Sequence, residues 1–270
     1  MNAYEKLSRK NLDGKFICVG LDTDVNKIPA HLKSSDNALY EFNRLIIEKT
    51  AETAAAYKLN FAFYESTGAR GFEVLKKTID IIPDNVLIIA DAKRGDIGNT
   101  AKMYANSIFN YFDCDAVTIN PYMGDDSVQP FLEFINRLNF VLTLTSNPGS
   151  ESFEKLKLEN GNFLYQQVIS KVNEWNKNKN CGIVFGATQI NELKNNIDLI
   201  GNLPVLLPGV GVQGGSLQDV AGLFNKSGRL DFIINVSRGI IYKSDQRDFS
   251  EAAAEELNTL NTKVKKELKM

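Results

Sequence analysis

Eight runs of apolar residues recur along the chain, and a segment whose apolar positions have helical spacing follows each run. The runs lie at residues 16–21, 56–60, 86–90, 116–120, 140–145, 182–186, 205–208 and 231–236. Most are continuous rather than alternating, which is typical of parallel strands covered on both faces. The helical patterns lie at residues 37–56, 67–80, 97–112, 125–138, 161–178, 188–200, 216–227 and 248–268. Eight strand–helix repeats favour a closed α/β barrel, the (β/α)8 TIM barrel, over an open doubly wound sheet.

The length of the chain is consistent with a single barrel domain. It has 270 residues, of which 43% are hydrophobic, and barrels of this size commonly form one domain. No repeat or break in composition divides residues 1–270, so one domain is predicted. The connection at 149–180, between the fifth and sixth strands, is unusually long. We interpret residues 150–162 as an inserted loop, which is either a mobile lid or a passive insertion.

Charge and composition exclude several classes of protein. With 31 basic and 33 acidic residues, the chain offers no surface typical of nucleic-acid binding. No apolar run approaches the roughly 20 residues that cross a bilayer, and the N-terminus lacks the apolar core of a signal peptide. A soluble, cytoplasmic protein is therefore predicted. The spacing of the three cysteines matches no metal site, and His31 is the only histidine, so no metal or cofactor is predicted.

Residues 91–100 carry the most informative pattern. They read Asp-Ala-Lys-Arg-Gly-Asp-Ile-Gly-Asn-Thr and join the third apolar run to a helical segment. In an extended chain Asp91 and Lys93 point to the same side, and Asp96 follows in the next turn. A surface salt bridge is the simpler interpretation. Charges at the mouth of a buried strand are costly unless they are paired or used, however, and α/β proteins place their active sites there.

Polar residues gather at the ends of seven of the eight predicted strands. They occupy segments 20–24, 57–60, 91–93, 120–122, 145–149, 208–215 and 236–239. In a barrel these ends meet at one mouth, where the chemistry of this fold takes place. The last two segments contain four glycines between 209 and 215 and Arg238, and Ser216 starts the helix that follows the glycines. A tight turn would explain the glycines, but together with Arg238 they favour a phosphate site.

The pattern Asp91-x-Lys93-x-x-Asp96-Ile97-x-x-Thr100 resembles the signature of the orotidine 5′-phosphate decarboxylase family. Further similarity follows in the same order at residues 21–22, 58, 145–149, 208–215 and 237–239, and covers most of the chain. The combination is highly specific. The chain length, the long fifth connection and segment 57–65 are similar to the longer bacterial subgroup, type 2.

The resemblance implies roles for the charged residues. Lys58, Asp91, Lys93 and Asp96 would form an alternating charge network in which Lys93 is the proton donor. Asp96 and the residues after it would reach into the active site of a neighbouring subunit. A homodimer with shared sites is therefore implied.

The resemblance also implies contacts to the sugar and base of the substrate. Asp22 and Lys58 would hold ribose hydroxyls, with Thr100 assisting from the partner subunit. Ile97 would reach the same site from the partner. Ser146 would contact the pyrimidine.

The implied reaction converts orotidine 5′-phosphate to uridine 5′-phosphate and carbon dioxide without a cofactor, as a step of pyrimidine biosynthesis. Its phosphate would be held by Gln213, Arg238 and the backbone near Gly239, and Pro208 is a further predicted substrate-binding residue. Two alternatives stay open. One is a metal-dependent sugar-phosphate decarboxylase or aldolase-type relative, which would place acidic ligands where this chain has Lys58. The other is a phosphometabolite-binding barrel without catalysis.

Overall fold

A computed structural model describes residues 1–210 and 214–270 of the chain. Within these residues, eight parallel strands close into a barrel, in which each strand pairs with its neighbours in sequence and β1 pairs with β8. The strands are β1 (Ile17–Gly20), β2 (Ala56–Asn60), β3 (Leu87–Arg94), β4 (Ala116–Ile119), β5 (Leu138–Leu144), β6 (Cys181–Phe185), β7 (Val205–Pro208) and β8 (Phe232–Val236). This is the TIM barrel that the repeated pattern predicts.

Helices precede β1 and follow the strands. In the described residues they are α1 (Ala3–Leu12), α2 (Ala38–Thr50), α3 (Phe61–Glu65), α4 (Ala69–Asp80), α5 (Gly98–Asn106), α6 (Asp125–Leu132), α7 (Leu164–Trp175), α8 (Ile190–Asn195), α9 (Ile197–Ile200), α10 (Leu217–Lys226), α11 (Arg238–Ile241) and α12 (Phe249–Leu268). Shorter helical turns occupy Ala30–Leu32, Ser107–Tyr111, Pro148–Ser152 and Asn176–Asn178.

The predicted limits of the elements are close for the strands and less accurate for the helices. All strand limits agree within two residues except that of β3, which continues to Arg94 instead of ending at residue 90. The predicted helix 125–138 is wrong at its end, because α6 stops at Leu132 and Leu138 already belongs to β5. Apolar positions continue across this junction, and hydrophobic periodicity alone does not separate a helix end from a strand start.

The helix α1 is absent from the elements that the pattern predicts. Asn2 caps it through a reciprocal pair of hydrogen bonds with Glu5. Its buried Ala3 and Leu7 pack against the residues that fill the barrel interior, which closes the N-terminal end of the barrel. The opposite end, where the polar strand ends meet, is left for the site.

The core accounts for all three cysteines. Cys18, Cys114 and Cys181 are buried free thiols, and burial raises the pKa of each. Cys18 on β1 and Cys181 on β6 are small residues of the core. In the part of the chain that the structure describes, none of the helices combines the length and apolar character needed to cross a membrane.

Candidate active site

A buried ion-pair network forms the centre of the barrel mouth. The Lys58 ammonium donates to Asp91 Oδ2 at 2.7 Å, and the Lys93 ammonium donates to Asp91 Oδ1 at 2.5 Å. Lys58 Nζ also lies 3.5 Å from Asp22 Oδ1. These residues come from the ends of β1, β2 and β3, which the barrel places side by side. Two lysines and two aspartates balance in charge, so the cluster tolerates burial.

Burial and pairing set the protonation of this cluster. Burial disfavours the charged form of Lys58, but the carboxylates of Asp91 and Asp22 outweigh it and raise the pKa of Lys58. Burial likewise opposes ionisation of Asp91, but Lys58 and Lys93 together hold the pKa of Asp91 well below its usual range. Ionised Asp91 therefore stabilises the fold at pH values above the ordinary carboxyl pKa. This stabilisation is lost as the pH falls through the lowered pKa of Asp91 in the folded protein. Lys58 stabilises it below the ordinary lysine pKa and loses this effect as the pH rises.

The two lysines differ in their access to a substrate. The Lys58 side chain is 4% exposed, whereas that of Lys93 is 51% exposed. Lys93 has a φ of 45°, which is uncommon for a residue with a side chain, and the register between β3 and β4 shifts between Ala90 and Arg94. The spacing of Asp91 and Lys93 thus brings them together, and an irregular strand end leaves the Lys93 side chain half-exposed beside the buried Asp91.

Among the described residues of one chain, no hydrogen bond or ion pair joins Asp96, Ile97 or Thr100 to this network. Asp96 Oδ1 accepts a hydrogen bond from the Ile97 backbone at 2.8 Å, and no ion pair joins Asp96 to another described residue. Ile97 and Thr100 are exposed, and α5 begins directly after Ile97. The structure therefore pairs none of these three residues with the Lys93 ammonium of the same chain.

Ser237 holds the Asp22 carboxylate beside the network. Its hydroxyl donates to Asp22 Oδ2 at 2.7 Å, and Asn235 Nδ2 lies 3.4 Å from the same hydroxyl. Gly20 makes room for this contact, since a Cβ atom there would lie 1.9 Å from Ser237 Oγ. Because Gly20 on β1 has no side chain, Ser237 at the end of β8 can reach Asp22.

Replacing Gly20 with alanine is expected to displace Ser237 and to destabilise the fold by about 1–3 kcal/mol, as overpacking does. Substrate binding should weaken with it. Gly222→Ala is the matched control, because nothing lies within 4 Å of a Cβ atom at this position in α10, and alanine there should stabilise by about 0.5–1 kcal/mol. Thermal unfolding of both variants checks the prediction, which an unchanged melting temperature for Gly20→Ala would contradict.

A cavity of about 290 Å³ adjoins the network on the side of β7 and β8. Asp22, Lys58 and Asp91 line one side of it, and Pro208, Gly209, Asn235, Ser237, Arg238 and Gly239 line the other. Arg238 is exposed and begins α11, so its guanidinium is available to an anion at this end. Gln213 lies outside the described residues.

Ser146 lies after β5 in a segment that is anchored to the strand end. Glu154 accepts hydrogen bonds from the Thr145 backbone at 2.6 Å and from the Thr145 hydroxyl at 2.9 Å. Lys155 pairs with Glu192 at 2.8 Å, and residues 157 and 163 form an antiparallel bridge. The loop between β5 and α7 is thus tied to the barrel at two points, and it carries Ser146 beside the mouth.

Three residues of the site were not assigned roles from the sequence. Thr118 on β4 donates to Asp91 Oδ1 at 3.1 Å and accepts from the Lys93 backbone at 3.0 Å. It is the lone hydroxyl in the apolar run 116–120, which is the signal that could have identified it. Ser237 lies within segment 237–239, which is similar to the family pattern. Asn235 is a buried amide inside a strand, and such a place is as unusual for its polar side chain as for that of Thr118.

A family model and named relatives match most of this chain, including the residues of the site. The model of the orotidine 5′-phosphate decarboxylase / HUMPS family matches residues 15–253. A protein of Porphyromonas gingivalis named orotidine 5′-phosphate decarboxylase is 44% identical over 257 residues, which are 94% of this chain and 91% of that protein. One of the same name from Dehalococcoides mccartyi is 45% identical over 260 residues, covering 94% of each.

Solved structures agree with the sequence relatives. The structure of the Leishmania donovani OMP decarboxylase superposes with a TM-score of 0.82 at 35% identity, covering 97% of this chain and 99% of that one. The family model, the relatives and the solved structure each match this chain over most of its length, and the chain folds into a barrel with a charged mouth. The chain therefore belongs to the orotidine 5′-phosphate decarboxylase / HUMPS family.

Proposed function

We propose that this protein decarboxylates orotidine 5′-phosphate to uridine 5′-phosphate and carbon dioxide in pyrimidine biosynthesis. The observation that carries the proposal is the Lys58–Asp91–Lys93 network beside a cavity that Arg238 also lines. A binding protein would need the anion site but not the half-exposed Lys93 ammonium paired with a buried carboxylate. The names of relatives that are 44% and 45% identical support the same activity.

The chemistry requires stabilisation of negative charge and delivery of one proton. The bond between the ring carbon and the carboxylate breaks, carbon dioxide leaves, and the electron pair stays on the ring carbon. The Lys93 ammonium attracts this pair and transfers a proton to it, so that a carbon–hydrogen bond forms. Solvent then returns a proton to Lys93. An ammonium suits both tasks because it is a compact charge with a transferable proton.

Asp91 and Lys58 keep the proton donor in place. The Asp91 carboxylate accepts from Lys93, Lys58 and Thr118 at once, so its position is fixed by three donors. Its charge attracts the Lys93 ammonium, 2.5 Å away. The buried Lys58 ammonium donates to Asp91 and so holds that carboxylate in place. Together with Asp22, Lys58 can also hold ribose hydroxyls of the substrate. Ser146 would contact the pyrimidine from β5.

The partner in this proposal is a second copy of the chain. Ile97, Met103 and Tyr122 are 54%, 61% and 75% exposed, respectively, although they are large apolar residues. They lie on the connections after β3 and β4, and Ile97 directly follows Asp96. Burying this surface in a homodimer would cover apolar groups and carry Asp96, Ile97 and Thr100 to the neighbouring site. Residues 1–270 would form one domain of each subunit.

A spectrophotometric assay of the purified protein with orotidine 5′-phosphate tests the function. Loss of the orotate chromophore with release of uridine 5′-phosphate is expected, and a chelator should leave the rate unchanged. The metal-dependent alternative is disfavoured by the buried ammonium of Lys58 between Asp22 and Asp91, which would repel a metal ion. Binding of the nucleotide without turnover would instead identify a non-catalytic barrel.

Arg238→Ala is expected to weaken binding of uridine 5′-phosphate far more than binding of uridine. The variant loses a charge-assisted contact to phosphate, which the nucleoside never makes. Calorimetry with both compounds measures the difference, and Arg247→Ala is the control because Arg247 is an exposed arginine outside the cavity lining. Equal losses for uridine and its phosphate would show that Arg238 does not bind phosphate.

A further inference from the structure

Two tyrosine hydroxyls bind the backbone on either side of Asp22. The Tyr64 hydroxyl donates to the carbonyl oxygen of Leu21 at 3.0 Å. The Tyr242 hydroxyl accepts from the Asp24 backbone N–H at 2.7 Å and donates to the carbonyl oxygen of Asp22 at 3.4 Å. These hydrogen bonds tie the loop after β1 to α3 and to the end of α11.

Both tyrosines are themselves fixed by packing. Tyr64 is fully buried, and its hydroxyl accepts from Asn43 Nδ2 at 3.1 Å, while Asn43 Oδ1 accepts from the Thr23 hydroxyl at 2.7 Å. The Tyr242 ring stacks on Phe42 with 5.9 Å between centroids. Burial raises the pKa of both tyrosines, so their hydroxyls stay protonated and able to donate.

We propose that Tyr64 and Tyr242 are positioning residues that set the Asp22 carboxylate for the ribose hydroxyls of the substrate. The inference rests on the proposed function. Ser237 donates to Asp22 Oδ2, and the Lys58 ammonium lies 3.5 Å from Asp22 Oδ1, which accepts no hydrogen bond from a described residue. The place of both carboxylate oxygens depends on the backbone that the tyrosines hold. Because small displacements of a binding group lower affinity, the hydroxyls act on the substrate through Asp22.

Tyr242→Phe removes one hydroxyl and keeps the ring. It should weaken binding of uridine 5′-phosphate about 3- to 10-fold, because the loop loses both hydrogen bonds to this hydroxyl and the net contribution of such bonds is modest. Binding of 2′,3′-dideoxyuridine 5′-phosphate, which lacks both ribose hydroxyls, should change less than about twofold. Tyr165→Phe is the matched control, since that buried hydroxyl accepts from Asn196 at 3.1 Å in the α7 region, and it should leave both affinities unchanged. Tyr64→Phe should repeat the pattern of Tyr242→Phe.

A double-mutant cycle separates positioning from a general structural effect. In an Asp22→Ala background, Tyr242→Phe should weaken binding of uridine 5′-phosphate less than about twofold, because the group that it positions is gone. Equal losses in both backgrounds, or equal losses for both nucleotides, would overturn the proposal. So would unchanged binding by Tyr242→Phe in an otherwise intact protein. A wild-type protein that neither turns over orotidine 5′-phosphate nor binds its product would overturn the proposed function itself.

Discussion

Lys93→Ala is expected to abolish nearly all decarboxylation while the fold is kept. Lys93 both stabilises the developing negative charge and donates the proton, and a positioned general acid alone contributes about 10²–10⁴-fold. The loss in kcat should therefore be at least of that size. Because the Lys93 side chain is half-exposed and Asp91 keeps Lys58 and Thr118 as partners, the melting temperature should change little. Rates with orotidine 5′-phosphate and thermal unfolding measure the two effects.

The control for this variant is Lys77→Ala. Lys77 is an exposed lysine on α4, and it should be silent in both measurements. A folded Lys93→Ala protein that keeps more than about a tenth of normal turnover would exclude Lys93 as the proton donor, because the general-acid contribution is larger than that.

Mixing Lys93→Ala with Asp96→Ala protein should restore activity once subunits exchange. In the proposed homodimer, Lys93 and Asp96 of one working site come from different subunits, whereas every site of either parent carries one defect. A mixed dimer has one site with both defects and one with neither. Equal pools that reassort at random are about half mixed dimers, so about a quarter of all sites become intact. Activity before and after exchange is the measurement.

The matched control mixes each variant with itself under the same conditions, and neither mixture should gain activity. Activity that stays at the parental level after confirmed exchange would mean that each site is built from one chain. Within one chain, Asp96 is hydrogen-bonded to the Ile97 backbone and is not paired with the Lys93 ammonium. The exchange experiment therefore tests whether Asp96 acts in the site of the other subunit.

Much of the architecture could be predicted because each strand is buried on both faces. Continuous apolar runs therefore identify all eight strands, with β2 and β7 placed at their observed limits. The helix α1 was missed because its amphipathic pattern is short and lies before the first strand, so the repeat does not include it. Its function in closing the barrel depends on residues of several strands that surround Ala3 and Leu7.

The sequence by itself determined which residues meet at the mouth. Once eight strand–helix repeats require a closed parallel barrel, all strand ends face the same side, so Asp22, Lys58 and Asp91 must be neighbours. Which atoms pair was decided only by the tertiary structure. Ser237 reaches Asp22 across 215 positions of sequence because β8 closes on β1 and Gly20 leaves the space. Such pairs depend on register and clearance between strands, which local periodicity does not encode.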